Sequence, residues 1–275
     1  MKVPKSHPRY ASLITRDRIV KGVRLGITSL HGLVAQGRGE AFDYLLGERT
    51  TEWADEAERV AAAVLLIAEQ PVISVNGNAA ALCPKEIVRL WKTLFEIRSK
   101  NNKNNGYGIP DRARIEVNLF HRSEKRVKAI VSHLKKGLRG KTVEILGAKP
   151  NRRIPGLEHA RALSSKEGVY GADVVLVPLE DGDRAEKLVE MGKKVIAIDL
   201  NPLSRTSRKA TITIVDNITR AIPNIELHMK KLSGKSRYEL EKMVSEFDNG
   251  ANLENSMNEI MRNLEKNKEE VRKVC

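Results

Sequence analysis

At residues 174–184 the chain reads VVLVPLEDGDR, six mostly apolar residues that run straight into Glu180, Asp181, Gly182, Asp183 and Arg184. Carboxylates gathered round a glycine can hold Mg2+ or accept hydrogen bonds from ribose hydroxyls, and a neighbouring guanidinium can grip phosphate. The next apolar run ends in DLNPLSRTSR, which adds Asp199, Asn201, Ser204 and Arg205. Mixed charge of this kind at one edge suits a magnesium nucleotide. Other apolar runs end in Asn76 and Asn78 around Gly77, in His121 and Arg122, and in Asp216 and Asn217. Nearer the start, QGRGEAFDYLLGE (36–48) sets Arg38 between two glycines ahead of a helix opened by Glu40, so that backbone N–H groups and a guanidinium can converge on one anion. Arg16 stands in ITRDR, at a spacing that also fits a solvated helix face. A plainer reading exists for each of these residues: Asp181 or Asp183 as the cap of the helix DRAEKLVEMG, the asparagines as caps or turns, His121 as a structural histidine, Arg38 as a solvated side chain in a helix–helix turn.

What separates the two readings is the position of the elements. PVISVN (71–76), RIEVNLF (114–120), TVEILG (142–147), ADVVLVPL (172–179), KKVIAIDL (193–200) and ATITIVDN (210–217) read as short strands rich in Val, Ile and Leu. Several are almost continuously apolar, as strands covered on both faces must be. Helical patterns lie between them, such as SEKRVKAIVSHLKKG (123–137), with Val127, Ile130, Val131 and Leu134 on one face and Gly137 as its stop. Strand and helix in alternation predict a doubly wound, mostly parallel α/β sheet. In such sheets ligands bind beyond the carboxyl ends of the strands, where strand order reverses, so the polar residues ending the runs are expected at a ligand edge. Residues 1–70 read as an N-terminal helical region, 71–232 as the sheet core and 233–275 as C-terminal helices, together one unit. RSKNNKNNGYGIP (98–110) reads as a loop.

A chain of 275 residues with 41% hydrophobic content can bury a substantial core. Its longest apolar run, VAAAVLLIA (60–68), is too short to cross a bilayer, and MKVPKSHPRY lacks the apolar stretch of a secretion signal. Cys83 and Cys275 offer no disulfide framework, and the six histidines show no paired ligand spacing. The expected location is cytoplasmic. With 49 Lys+Arg against 35 Asp+Glu, a net charge of +14, the partners are expected to be anions. Aromatics make up only 4% and the basic residues are spread along the chain, which speaks against nucleic acid.

Three tempting motifs fail. GLRGKT (137–142) has Lys135 where a phosphate loop needs its first glycine, and a strand follows instead of a helix. GYGIPD (106–111) and GRGEAF (37–42) begin like dinucleotide fingerprints but lack the third glycine and follow no clear strand.

Taken together, SHPRYASL, GITSLHGLVAQGRGEAFDYLLGE, PVISVNGNAAAL, EVNLFHR, ADVVLVPLEDGDR and VIAIDLNPLSRT…ITIVDN resemble the archaeal phosphopantothenate synthetases, the 4-phosphopantoate:beta-alanine ligases, over roughly residues 4–225. The resemblance implies a Rossmann-like core, a homodimer, and ATP-driven amide formation that yields 4'-phosphopantothenate, AMP and pyrophosphate through an acyl-adenylate on the route to coenzyme A. It implies that Arg16 and Arg38 contact ATP, as do groups among Asp181, Gly182, Asp183, Arg184, Asp199 and Asn201. Gln36 stands where many members carry histidine.

The chemistry agrees with this. An acyl carboxylate, its own phosphate and a triphosphate repel one another, so cations at fixed geometry must hold them. Arg16, Arg38 and Arg205 with Mg2+ would do so; His121 or an aspartate would take the proton of the beta-alanine amine. Asn76, Asn78, Ser204 and Asn217 are the expected substrate contacts, and the metal ligands stay open. An ADP-forming enzyme on the same fold and a basic nucleic-acid-binding module are the competing expectations.

Overall fold

The computed structural model describes residues 3–104, 112–137 and 144–274. Three helices come first: α1 (Tyr10–Arg24), α2 (Leu30–Leu46) and α3 (Glu52–Ile67). Then strands and helices alternate: β1 (Pro71–Val75), α4 (Gly77–Leu82), α5 (Pro84–Asn104), β2 (Arg114–Val117), α6 (Glu124–Lys135) and β3 (Ile145–Leu146). A short antiparallel pair, β4 (Arg152–Arg153) with β5 (Leu163–Ser164), occupies the crossover to β6 (Val174–Pro178). Next come α7 (Gly182–Glu190), β7 (Lys194–Ile198), α8 (Arg205–Lys209), β8 (Ile212–Ile214) and α9 (Ile218–Leu232), followed by α10 (Arg237–Ser245) and α11 (Asn249–Val274).

All six expected strands form one parallel sheet in the order β3-β2-β1-β6-β7-β8. It is an α/β fold of Rossmann-like design, and the direction of winding reverses between β1 and β6. Alternation within the strands explains the two-sided cover. Ile73, Leu176, Ile196 and Ile198 face one core with α3, α5 and α9, whereas Val72, Val175, Val177, Val195 and Ala197 face another with α7 and residues 154–172. Every residue of β1 and of β6 is buried. No helix among the described residues is long and apolar enough to cross a membrane.

Two local expectations are overturned. Residues 98–104 are helical, the end of α5, because Arg98 is only 4% exposed and donates to the carbonyls of Leu66, Ala68 and Glu69 at the end of α3. That tertiary anchor outweighs the poor helix propensity of an Asn-rich stretch. The remainder of the expected loop, the GYGIPD motif, most of GLRGKT, the start of TVEILG and Cys275 lie outside the described residues. Second, Gly37–Arg38–Gly39 does not precede a helix. It sits inside α2, which starts at Leu30 with Ser29 as its cap residue, so the backbone N–H groups there belong to the helix and cannot cradle an anion.

Between α3 and α9, Asp55, Glu58 and His228 bring side-chain donor atoms within 4.8 Å of one another, a meeting that no histidine spacing announces. His228 Nε2 is 2.9 Å from Asp55 Oδ1, and Asn224 donates to Glu58 Oε2 at 2.9 Å. Burial, with the Asp216 and Asp55 charges adding to it, pushes the Glu58 carboxyl up to about 9, so it holds a proton at neutral pH. Unfolded, it would ionise near its ordinary value of 4.5. The fold therefore keeps a proton that the unfolded chain releases, and this contribution to stability declines as pH rises from 4.5 towards about 9. Glu58→Gln keeps the shape without the titration. Its stability relative to the unaltered protein, followed by thermal unfolding, is expected to climb as pH is raised through that window, by at most about 1.4 kcal/mol per pH unit. A difference that stays level across the window would mean Glu58 is ionised in the fold.

Candidate active site

Among the described residues two hollows are of similar size, about 330 and 350 Å³. Volume does not choose between them, but position does. The larger lies against α1, α4 and α5, lined by Arg18, Lys21, Lys85 and His133. The smaller opens beyond the carboxyl ends of β1 and β6, at the reversal of strand order, where sheets of this type take their ligands.

Its floor is built by asparagines that stabilise turns. Asn76 caps α4 by accepting from Ala79 N, and its Nδ2 donates to the carbonyls of Pro178 and Leu179, tying β1 to β6. Asn78 accepts from Thr28 Oγ1 and donates to Gly32 O, holding the start of α2 over the cavity. Asn217 caps α9 and donates to Asp43. All three line the cavity, yet their hydrogen-bonding groups are engaged by the protein itself, so they shape the site more than they reach into it. Gly77 leaves the room this needs: a Cβ there would lie 2.6 Å from Ile27 O.

The acidic turn after β6 divides its work. Leu179 adopts φ 53, a left-handed conformation costly for a branched side chain, and the chain turns sharply there. Glu180 then goes inward and Asp181 outward. The Glu180 side chain is 2% exposed and lies between the guanidiniums of Arg161 and Arg184. Burial alone would raise its carboxyl, but the two arginines hold it below the usual range. Asp181 lines the cavity, and burial pushes its carboxyl up, with Glu180 and Asp183 adding to the rise and Arg161 opposing it. Arg161 lies 2.5 Å from both carboxylates, at angles that leave its Nε and Nη1 and the Asp181 Oδ2 without an aligned hydrogen bond. These are electrostatic contacts short of full hydrogen bonds.

Several expected contacts are placed elsewhere. Arg184 does not face the cavity: it is 0% exposed, bound to Glu180 and Ser74 beneath the turn. Asp183 bonds His159 at 2.7 Å and takes no part in the lining. Gly182 starts α7, and a Cβ there would meet the Arg205 side chain at 2.6 Å. Arg205 itself is drawn to Glu186, one turn further along the same helix. Ser204 caps α8 and bonds Asp199. Asn201 closes a turn onto Leu203 N one residue beyond Leu200, which does line the cavity. Asp199 is raised by burial and is held by Ser204 and the Asn201 N–H. Arg16 is committed to Glu40 by hydrogen bonds at 2.6 and 2.8 Å. In each case a nearer partner inside the fold claims the group.

Arg38 and His121 do line the cavity, with Gln36 beside them. Arg38 is exposed, forms no hydrogen bond or ion pair with the described residues, and lies within electrostatic reach of Asp199. His121 packs against His31 with ring centroids 4.9 Å apart and against Phe120 at 5.0 Å. Arg161, Arg126, Ser29 and His31 also line it, and none of them stands out in the sequence. Arg161 lies in the crossover between β3 and β6, and Arg126 lies on α6 among other charges, so neither stretch carries a signal.

A cavity with more guanidiniums than carboxylates, at a nucleotide-type switch point, is suited to assembling several anions. The model of the phosphopantothenate/pantothenate synthetase family matches residues 53–100 and 109–263. The chain belongs to that family. Phosphopantothenate/pantothenate synthetase membership thus reaches beyond residue 225, where the recognisable motifs stop, and takes in α10 and much of α11. The 4-phosphopantoate–beta-alanine ligase of Methanosarcina mazei is 52% identical over 262 residues, 95% of this chain and 95% of that protein. Those of Thermococcus onnurineus (51% identical, covering 97% and 95%) and Thermococcus kodakarensis (52%, covering 92% and 90%) are alike.

Proposed function

We propose that the protein is an ATP-dependent 4-phosphopantoate–beta-alanine ligase, which condenses the two acids to 4'-phosphopantothenate for coenzyme A synthesis. The observation that carries this is identity of about half over 95% of the chain with a ligase of that name. In the first half-reaction the 4-phosphopantoate carboxylate attacks the α-phosphate of ATP. An acyl–phosphate bond forms, the bond to the β-phosphate breaks and pyrophosphate leaves. In the second, the beta-alanine nitrogen attacks the acyl carbon and AMP leaves. Arg38, without a hydrogen bond or ion pair among the described residues, is the residue we assign to the ATP phosphates. Asp181 and His121 both face the cavity and can accept the proton that the ammonium group of beta-alanine must lose before it attacks.

Asp181 is the carboxylate of the cavity wall, and although its Oδ2 is buried against Arg161 Nε at 2.5 Å, its other oxygen could join a Mg2+ site of the kind completed by substrate phosphates. Bound there, Mg2+ would neutralise phosphate charge. A homodimer is part of this reading, since Leu30 (68% exposed) and Val34 (65%) present apolar surface along α2, the helix that carries Arg38.

The direct test incubates the protein with ATP, Mg2+, 4-phosphopantoate and beta-alanine, leaving out one component at a time. Amide product with AMP and pyrophosphate is expected only in the complete mixture. ADP with phosphate, or turnover without beta-alanine, would overturn the assignment.

A further inference from the structure

The larger of the two hollows, about 350 Å³ and so within the range of ordinary small-ligand sites, lies away from the switch point and takes no part in the reaction above. Arg18 and Lys21 on α1 and Lys85 on α5 line it, and none of the three forms an ion pair with the described residues. Neighbours on the same helices behave otherwise, since Arg16 is held by Glu40 and Arg89 by Glu226. Among the described residues Glu86 is the only carboxylate in the lining, and it is unpaired as well. Arg18 Nη1 donates to Leu82 O at 2.8 Å, which aims the guanidinium and leaves the rest of its donor edge without a partner among the described residues. Pro84, Lys85 and Glu86 open the 21-residue helix α5, so the positive end of its dipole adds to the field. His133, in the same wall, registers that field: burial lowers its pKa, and the charges of Lys136 and Lys21 lower it further.

Cations left unpaired in a concave wall attract an anion and repel one another until it arrives. Three cations against one carboxylate match a charge near −2, which a phosphate monoester concentrates on one centre with three acceptor oxygens. Leu25, Ile27, Ala81 and Leu82 complete the lining and give a short aliphatic chain an apolar floor.

A thin wall divides this hollow from the active cavity. Ile27 and Ala81 line the hollow, while Thr28 and Asn78, from the same loop and the same helix α4, line the active cavity. Packing in that wall is tight: a Cβ on Gly22 would lie 2.7 Å from Ala81 Cβ and 3.1 Å from Thr28 Cγ2. Thr28 in turn donates to Asn78. A ligand that braces α1 against the start of α5 therefore acts on residues that shape the active cavity. We infer that this hollow is a second anion site, that it takes a phosphate monoester with a short aliphatic body, and that its occupant modulates turnover. The modulation rests on the ligase reading above; the binding does not.

The test uses the whole protein with butyl phosphate as the probe. Titration should move the ring signals of His133 in NMR, identified by their absence from His133→Gln, and should do so equally in Arg38→Ala, whose change lies in the other cavity. Lys21→Gln combined with Lys85→Gln alters two exposed side chains and should fold. It should weaken this binding on the order of 10-fold, with KM for ATP and for 4-phosphopantoate unchanged in the absence of the probe. Inorganic phosphate, lacking the alkyl chain, should bind more weakly by a factor on the order of 10. Saturating butyl phosphate should change turnover of the unaltered protein in a way that is absent from the double variant. The site is overturned if the His133 signals stay put, if the double variant binds as tightly, or if glutarate binds better than butyl phosphate. Equal responses of turnover in the unaltered protein and the double variant would overturn the modulation. An unaltered protein that makes no amide from the full mixture would instead sink the ligase assignment, with the NMR result still standing.

Discussion

Arg38→Ala lowers kcat/KM on the order of 10²- to 10³-fold, the loss typical of removing one preorganised charge-stabilising group from an active site. The expectation rests on contrast with other arginines near the sheet edge. Arg16 is held by Glu40, Arg205 by Glu186, and Arg184 is enclosed with Glu180. Arg38 has no such partner among the described residues, and the α2 backbone fixes its origin over the cavity. Because it is exposed, truncation removes little packing, so the thermal midpoint should scarcely move while turnover collapses. Arg38→Lys should recover only part, since a point charge does not reproduce the bidentate fork. Near-normal turnover at saturating ATP with unaltered ATP affinity would remove Arg38 from the mechanism.

Glu180→Ala acts on stability instead. Its carboxylate is the counter-charge of Arg184, which is 0% exposed and has Nε and Nη2 without partners. Taking it away leaves buried guanidinium charge uncompensated, which costs about 3–5 kcal/mol. For a chain of this length that corresponds to a fall in thermal midpoint on the order of 10 °C. Adding Arg184→Met should restore part of the loss, because the orphaned charge is then gone too. The idea fails if Glu180→Ala shifts the midpoint no more than an exposed substitution does, or if the double variant is worse by the full sum. The same network connects stability with function: Arg161, the other neighbour of Glu180, also flanks Asp181 in the cavity. A folded Glu180→Ala protein should therefore also show an altered pH profile of turnover.

The relation between the acidic turn and the asparagines shows how a plain structural role and a functional one can coincide. Asn76 and Asn217 are caps, as a reader of turns would expect, and both also form cavity wall. Asp181 occupies the cap position of α7 without making the side-chain cap bond, which leaves its carboxylate for the cavity. Local sequence cannot tell a cap that bonds its helix from one that does not, because the difference lies in whether a distant cation draws the oxygen away.

What the sequence alone determined is the part governed by short-range physics. Runs of Val, Ile and Leu of strand length, amphipathic stretches between them and polar residues after each run announced a parallel sheet with its ligand edge at the strand ends, because side-chain periodicity and capping depend on neighbours a few residues away. What only the tertiary structure decided is which charges meet. It enclosed Arg184 and Glu180, turned Arg205 outward, placed Arg38 in mid-helix, and carried Arg161 and Arg126 in from a crossover and a helix where nothing marked them. Coulomb and desolvation energies depend on separation in space and on burial, and neither quantity is written along the chain until the strands are ordered.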